Sequence, residues 1–166
     1  PFYTISKIVS IICLAKEQEE LLGKPIVPLF WIAGEDHDFL EINHVYTPEE
    51  RTFKKKSYQD ILAGKKMVSE LEINKEKLTD WVRAVCMQFG ETKFTKQIVE
   101  KLESYVERSK SYVDFFAFIV TDLFENSGLV LMNAADAPVR ELESPYFTQL
   151  IKKHKEITSS VLNTQT

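Results

Sequence analysis

Two short apolar runs, IVPLFWIA from Ile26 to Ala33 and LVLM from Leu129 to Met132, constrain the fold of this chain more than any other feature. Both are apolar on both parities, and the first is rich in β-branched and aromatic residues, the pattern of strands buried on two faces. Each gives way at once to polar residues and a helix start, with helical stripes filling the sequence between them. Strands that alternate with helices in this way predict an α/β fold with a mostly parallel sheet, whose sites form at the carboxyl ends of the strands. Pro28 cannot donate to a ladder, so the paired part of the first strand is Leu29 to Ala33.

The helices are read from periodicity. Ile8, Val9, Ile12 and Ala15 recur at helical spacing from Ile5 onward, and Gly23 followed by Pro25 ends that helix with a glycine cap. Asp38 with Glu41 three residues later reads as a capping box for a short helix carrying Phe39, Ile42 and His44. TPEERTFKKKSYQDILAGKK is mostly irregular, with one strand at about 51–58. Asn74 caps a regular stripe of Leu78, Trp81, Val82, Val85, Cys86 and Phe89 that stops at Gly90. Phe94, Ile98, Leu102 and Tyr105 make another helix, and Tyr112 to Phe124 a third, apolar almost all round and central to the core. After the second strand, Asp136 and Pro138 open a new helix, and Ser144 with Pro145 caps the last one. Its positions Phe147, Leu150, His154, Ile157 and Val161 alternate at three and four residues, the spacing of a coiled-coil seam.

Composition narrows the function classes. With 166 residues and 44% hydrophobic content the chain can build one domain with a real core. A formal charge of -4 supplies no global field for nucleic acid or an acidic membrane, and the patch Lys54, Lys55, Lys56, Lys65 and Lys66 reads as a solvated face. No apolar run reaches the roughly 18 residues of a membrane span, and no signal peptide is visible, so the expected location is cytoplasmic. Cys13 and Cys86 sit among apolar residues and read as buried thiols in a reducing compartment. The sequence opens on Pro1 inside an apolar pattern and reads as a piece of something longer.

Chemistry concentrates in FWIAGEDHDFLEINH, Phe30 to His44, where the first strand runs into Glu35, Asp36, His37 and Asp38. A carboxylate and an imidazole at a strand-to-helix turn can hold an ammonium or take its proton, which is general-base work. A dipole-favoured acidic helix start is the plain alternative; the place at the end of a buried strand favours a site. His37 and His44 on one helix would lie about 10 Å apart, too far to share one metal ion through these two alone, so no metal site is expected, although carboxylate-assisted magnesium binding stays open. Asn133 and Asp136 form a second polar cluster at the same edge, with Asp136 also readable as an N-cap. Trp31 and Trp81 read as core residues. No G-x-G-x-x-G, P-loop or G-x-S-x-G pattern occurs.

PLFWIAGEDHDFLEINHVY, with PFYTISKIVSIICLAKEQEELLGKPIVP before it and GLVLMNAAD after it, resembles the family of bacillithiol biosynthesis cysteine-adding enzymes. The tryptophan followed by acid, Asp, His, Asp and then Asn-His is its most specific part. The resemblance covers essentially all of this chain, while family members run to several hundred residues. It implies a Rossmann-like core similar to class I aminoacyl-tRNA synthetases, with parallel strands, crossover helices and an inserted helical connecting segment, leading into a long coil that forms a homodimer. Residues 1–143 are then the core, with the connecting segment at about 74–125, and residues 144–166 begin the coil. The implied activity is a ligase that joins the carboxyl of cysteine to the amine of glucosaminyl malate. On this reading Asp36, His37, Asp38 and His44 are catalytic, with His37 or Asp36 as base and the others orienting; Trp31, Glu35, Asn43 and Asn133 bind substrate. Activating a free acid implies a nucleotide, ATP or ADP with magnesium, for which the chain shows no loop. The family's Thr-Gly-Gln-Gln segment would come just before Pro1, so this piece alone is expected to be inactive. Arg51 and Lys54 to Lys56 are candidates for the malate carboxylates. Two other readings stand beside it: a metal-dependent hydrolase or transferase built on Asp36, His37 and Asp38, and a non-catalytic module that dimerises through the Phe147 to Val161 seam.

Overall fold

The computed structural model describes residues 2–59 and 66–164, so Lys65 of the lysine patch lies outside the described residues. The elements run α1 (Phe2–Leu22), β1 (Leu29–Ile32), α2 (Phe39–Ile42), β2 (His44–Glu49), β3 (Thr52–Ser57), a 3-10 turn at Val68–Glu70, α3 (Lys75–Gln88), α4 (Thr95–Arg108), α5 (Tyr112–Leu123), β4 (Val130–Asn133), α6 (Ala137–Lys152) and α7 (His154–Thr164). β1 and β4 pair in parallel, with Leu29 opposite Val130 and Ile32 opposite Asn133. The α/β arrangement with crossover helices is therefore present. Pro28 stays outside the pairing and contributes only its carbonyl, which accepts from the Val130 N–H at 2.9 Å.

The apolar strand is not buried on both faces. Phe30 and Ile32 are half-buried, Phe30 against Phe116 of α5 with ring centroids 6.3 Å apart. Leu29 and Trp31 alternate with them and remain 40% and 43% exposed. In α1 the buried stripe runs through Ile8 and Ala15, and Gly23 closes the helix at φ 61° with its N–H on the Glu19 carbonyl at 2.9 Å. Cys13 was expected to be buried and is exposed: it lies five residues beyond Ile8, about 140° around the helix from the buried stripe. Cys86 is half-buried, and burial pushes its thiol pKa up.

α2 is shorter than its pattern implied. Asp38 makes no side-chain capping bond, and the helix stops at Ile42 because Asn43 is tied to Tyr58. The Asn43 side-chain amide donates to the Tyr58 carbonyl at 3.0 Å, and the Tyr58 N–H donates to the Asn43 carbonyl at 2.6 Å. His44 thus opens a strand and does not lie on the helix. Of the segment read as mostly irregular, residues 60–65 lie outside the described residues, and the part before them belongs to an antiparallel hairpin, paired from His44 with Ser57 to Glu49 with Thr52 and turning through Glu50 at φ 51°. β3 lies inside the expected strand; β2 was hidden by Pro48 and by a turn without glycine or asparagine. Packing against α3 holds the hairpin, with the Lys56 ammonium donating to the Ala84 carbonyl at 2.8 Å. Lys54 pairs with Glu49 on the solvent side at 2.9 Å.

α3 starts where expected, with the Asn74 side chain accepting from the Lys77 N–H at 3.0 Å. α5 carries a full capping box of Ser111 and Asp114. Leu78, Val82 and Val106 join Phe39, Tyr58 and Leu71 in the main buried cluster, so α2, α3 and α4 share one core. Lys101 beside Asp122 links α4 to α5 and holds that carboxyl below its usual range. At the far end, Ser144 does not start a helix. α6 begins at Ala137 with Pro138 in its first turn and continues through Pro145, across the expected boundary at 143/144. It breaks at Lys153, so the expected seam is divided, with Phe147 and Leu150 on α6 and His154, Ile157 and Val161 on α7, all exposed.

Leu78 is 3% exposed in the central cluster, and Leu142 of α6 is 73% exposed. Leu78→Ala is therefore expected to cost about 2–5 kcal/mol in urea unfolding of the protein, and Leu142→Ala about 0.5 kcal/mol or less. Equal shifts of the two midpoints would contradict the placement of the core.

Candidate functional site

The parallel register brings the ends of β1 and β4 together, with Ile32 opposite Asn133, and both polar clusters follow at that edge. The chain turns there at Gly34, and its lack of a side chain is essential. A Cβ at Gly34 would lie 2.1 Å from Asn133 Oδ1 and 2.2 Å from Ser69 Oγ. The Gly34 carbonyl accepts from the Ser69 N–H at 3.0 Å and from the Ser69 hydroxyl at 2.8 Å. Ser69 Oγ also lies 3.3 Å from Asn133 Oδ1, which accepts from the Ala135 N–H at 3.2 Å. Asn133 Nδ2 donates to Asp136 at 2.9 Å, so Asp136 receives this amide and makes no side-chain capping bond to α6. Sequence reasoning missed Gly34 and Ser69. A lone glycine between a strand and an acidic run signals close backbone approach, whereas Ser69 carries no sequence signal at all.

The acidic run is a tight turn. Asp36 Oδ1 accepts from the N–H groups of His37 at 2.6 Å and Asp38 at 3.1 Å. These backbone bonds, Asp38's first, hold the Asp36 carboxyl below its ordinary value. His37 Nδ1 lies 3.7 Å from the same oxygen, and the His37 side chain is 60% exposed. Asp38 is exposed, and Glu35 is half-buried with Oε2 buried and unpartnered.

A cavity of ≈620 Å³ opens beside this turn. Asp36, Asp38, Asn43 and His44 line it together with Trp31, and apolar side chains such as Ile8, Phe30, Phe116 and Ile119 complete the walls. Two polar atoms among its lining residues, His44 Nδ1 and Trp81 Nε1, are buried without a hydrogen-bond partner. The His44 ring stands edge-on to Tyr46 at 5.6 Å, and Trp81 stands edge-on to Tyr58 at 5.9 Å. A second, more polar cavity of ≈500 Å³ is lined by Ser69, Glu70, Lys110, Ser111, Asn133 and Asp136 among others. The expected site residues are thus divided: His37 and Glu35 line neither cavity, and Asn133 lines only the second.

Among the described residues no cluster of three or more His, Cys, Asp or Glu is placed to hold an ion, which leaves the metal-dependent hydrolase reading without a ligand set. Nor does the acidic turn cradle a phosphate, because the amides of His37 and Asp38 already hold the Asp36 carboxylate.

The model of the family described as "Bacillithiol biosynthesis BshC, N-terminal Rossmann-like domain" matches residues 1–166. The chain belongs to this family. Its similarity to curated proteins is of the same kind. It is 50% identical over 165 residues to a protein of Geobacillus sp. (strain WCH70), 47% to one of Geobacillus kaustophilus and 42% to one of Bacillus cereus (strain G9842), each named "Putative cysteine ligase BshC". Each match covers 99% of this chain but only 30%, 30% and 31% of those relatives, so the chain spans about a third of their length. As a BshC Rossmann-like domain, the chain carries its polar turns where open α/β sheets bind ligands, beyond the carboxyl ends of β1 and β4.

Two outcomes follow for this domain. Gly34→Ala forces Ser69 or Asn133 aside and is expected to cost about 1–3 kcal/mol in chemical denaturation; an unchanged midpoint would remove the close approach. The depressed Asp36 pKa means that the turn's stabilisation is complete above the ordinary carboxyl value of 3.8 and is lost as pH falls through the lower folded value. The amide resonances of His37 and Asp38 are expected to move together on that acid limb and to stay still in Asp36→Asn.

Proposed function

We propose that the protein carrying this domain forms the amide bond between the carboxyl of cysteine and the amine of glucosaminyl malate, a carbon–nitrogen ligation in bacillithiol biosynthesis. The family description and the ligase names of the relatives support the reaction class. Within the domain, the observation that carries the reading is His44, which lines the cavity with Asp36, Asp38 and Asn43 and whose buried Nδ1 has no hydrogen-bond partner. An amine nucleophile must be held and then relieved of a proton, and a histidine nitrogen with no internal partner suits the second task.

This reading gives His44 the base role in place of His37 or Asp36. Asp36 is spent on two backbone amides and binds its proton weakly, and His37 does not line the cavity. Asp38, exposed and in the lining, attracts the ammonium, and Trp31 and Trp81 contribute aromatic wall. Asn43 holds the start of β2, and so His44, through its two bonds to Tyr58. Activation of the cysteine carboxyl draws on groups other than the amides of the acidic turn. Dimerisation is a second role, supported by the exposed Phe147, Leu150, Ile157 and Val161. Among the described residues no helix is long and apolar enough to cross a membrane.

The test is mass spectrometry of product made by the full-length protein from cysteine and glucosaminyl malate, with and without ATP and magnesium. Wild type is expected to form the amide, His44→Ala to lose about 100-fold or more in rate, and His37→Ala to lose far less. The reverse ranking would return the base role to His37, and no product from folded wild type would end the ligase reading. In the same protein, Leu150→Glu with Ile157→Glu is expected to shift sedimentation from dimer to monomer without loss of fold; an unchanged profile would remove the seam.

A further inference from the structure

We propose that Ser69 is a positioning residue that couples the turn after β1 to the turn after β4 and so fixes the acidic turn and His44 relative to a bound substrate. The proposal deepens the ligase reading and rests on it. Ser69 sits on the 3-10 turn, far from either strand in sequence, and its hydroxyl touches both turns. Its N–H and hydroxyl both reach the Gly34 carbonyl, at 3.0 and 2.8 Å, while the same hydroxyl lies 3.3 Å from Asn133 Oδ1. Both neighbours of the hydroxyl are acceptors, so its single proton serves Gly34 first and Asn133 by sharing. Beside it the Val68 N–H donates to the Asp36 carbonyl at 2.7 Å, which extends the tie to the acidic turn itself.

The geometry also changes the role of Asn133. Its amide donates to Asp136, and its oxygen takes the Ala135 N–H and the Ser69 contact, so both ends of the side chain are engaged in the second turn. Asn133 braces the crevice from the β4 side, and Ser69 closes the brace from the β1 side. Removing the Ser69 hydroxyl leaves the strands paired but lets the two turns move independently.

The experiment uses the full-length protein and the series Ser69→Ala, Ser69→Cys and Ser69→Thr, each measured well below its unfolding midpoint. Ser69→Ala is expected to lower kcat about ten-fold with KM for both substrates little changed, because misplacement of reacting groups costs rate while binding contacts persist. Ser69→Thr restores the hydroxyl and is expected to recover kcat. Hydrogen exchange read on peptides spanning 33–38 and 133–137 is expected to quicken at both turns in Ser69→Ala and to return in Ser69→Thr. If Ser69→Ala does not fold, Ser69→Cys, a weak donor of similar size, carries the same comparison. A folded Ser69→Ala or Ser69→Cys with unchanged kcat, or exchange that quickens at one turn only, would overturn the proposal. Wild type that makes no product, with exchange still coupled between the turns, would overturn the ligase reading and with it the catalytic role of Ser69.

Discussion

The contact among Gly34, Ser69 and Asn133 is the constraint on which the rest of the site depends. Parallel pairing of β1 with β4 sets the turns side by side, but pairing alone does not fix where the chain goes next. The absent side chain of Gly34 lets Ser69 and Asn133 close over the turn, at distances where any Cβ would collide. With the Gly34 carbonyl held twice by Ser69, the following residues have one path, and Asp36 folds its carboxylate onto the next two amides. That turn releases the chain into α2, and Asn43 then passes it to β2 with His44 at its head. A single packing decision at Gly34 therefore reaches the candidate base through ten residues of backbone.

Carboxylates and imidazoles that look equivalent in the sequence end in unequal places. Asp36 is the most constrained acid of the run, and constraint is what disqualifies it as a base, since two N–H donors stabilise its charged form. Asp38 keeps its carboxylate exposed, while Glu35 buries one oxygen without a partner. Of the two histidines in this run, His37 is 60% exposed and His44 lines the cavity. Spacing along the chain could not separate these roles, because the run changes from turn to helix to strand within a few residues.

What was legible in the sequence was what local chemistry decides. Asn74 and its apolar stripe, Gly23 at the end of α1 and Pro28 just outside β1 each act through their own backbone neighbours, and each is where the pattern put it. The errors arose where distant packing overrides local preference. β2 survives Pro48 because Thr47 is buried and the hairpin rests on α3; Ser144 yields to a helix already started by Pro138. The same holds for the site. The acidic run announced itself, but Ser69 is invisible in sequence because its importance comes from two turns that meet only in the folded chain.

In the ligase reading, the cavity combines carboxylates with a largely apolar lining, and this pairing suits an amine that must change protonation state. Asp38 and Asp36 in the lining favour the ammonium form on approach, since an opposite charge nearby stabilises it. Phe30, Phe116 and Ile119 in the same lining favour the neutral amine, since burial penalises charge. A proton acceptor is useful where both influences reach the amine, and His44 at the start of β2 lines the same cavity as Asn43 and Trp81. Moving the base to the exposed turn would leave the amine deprotonated in water, where it is immediately reprotonated, so the placement of the histidine matters more than its identity.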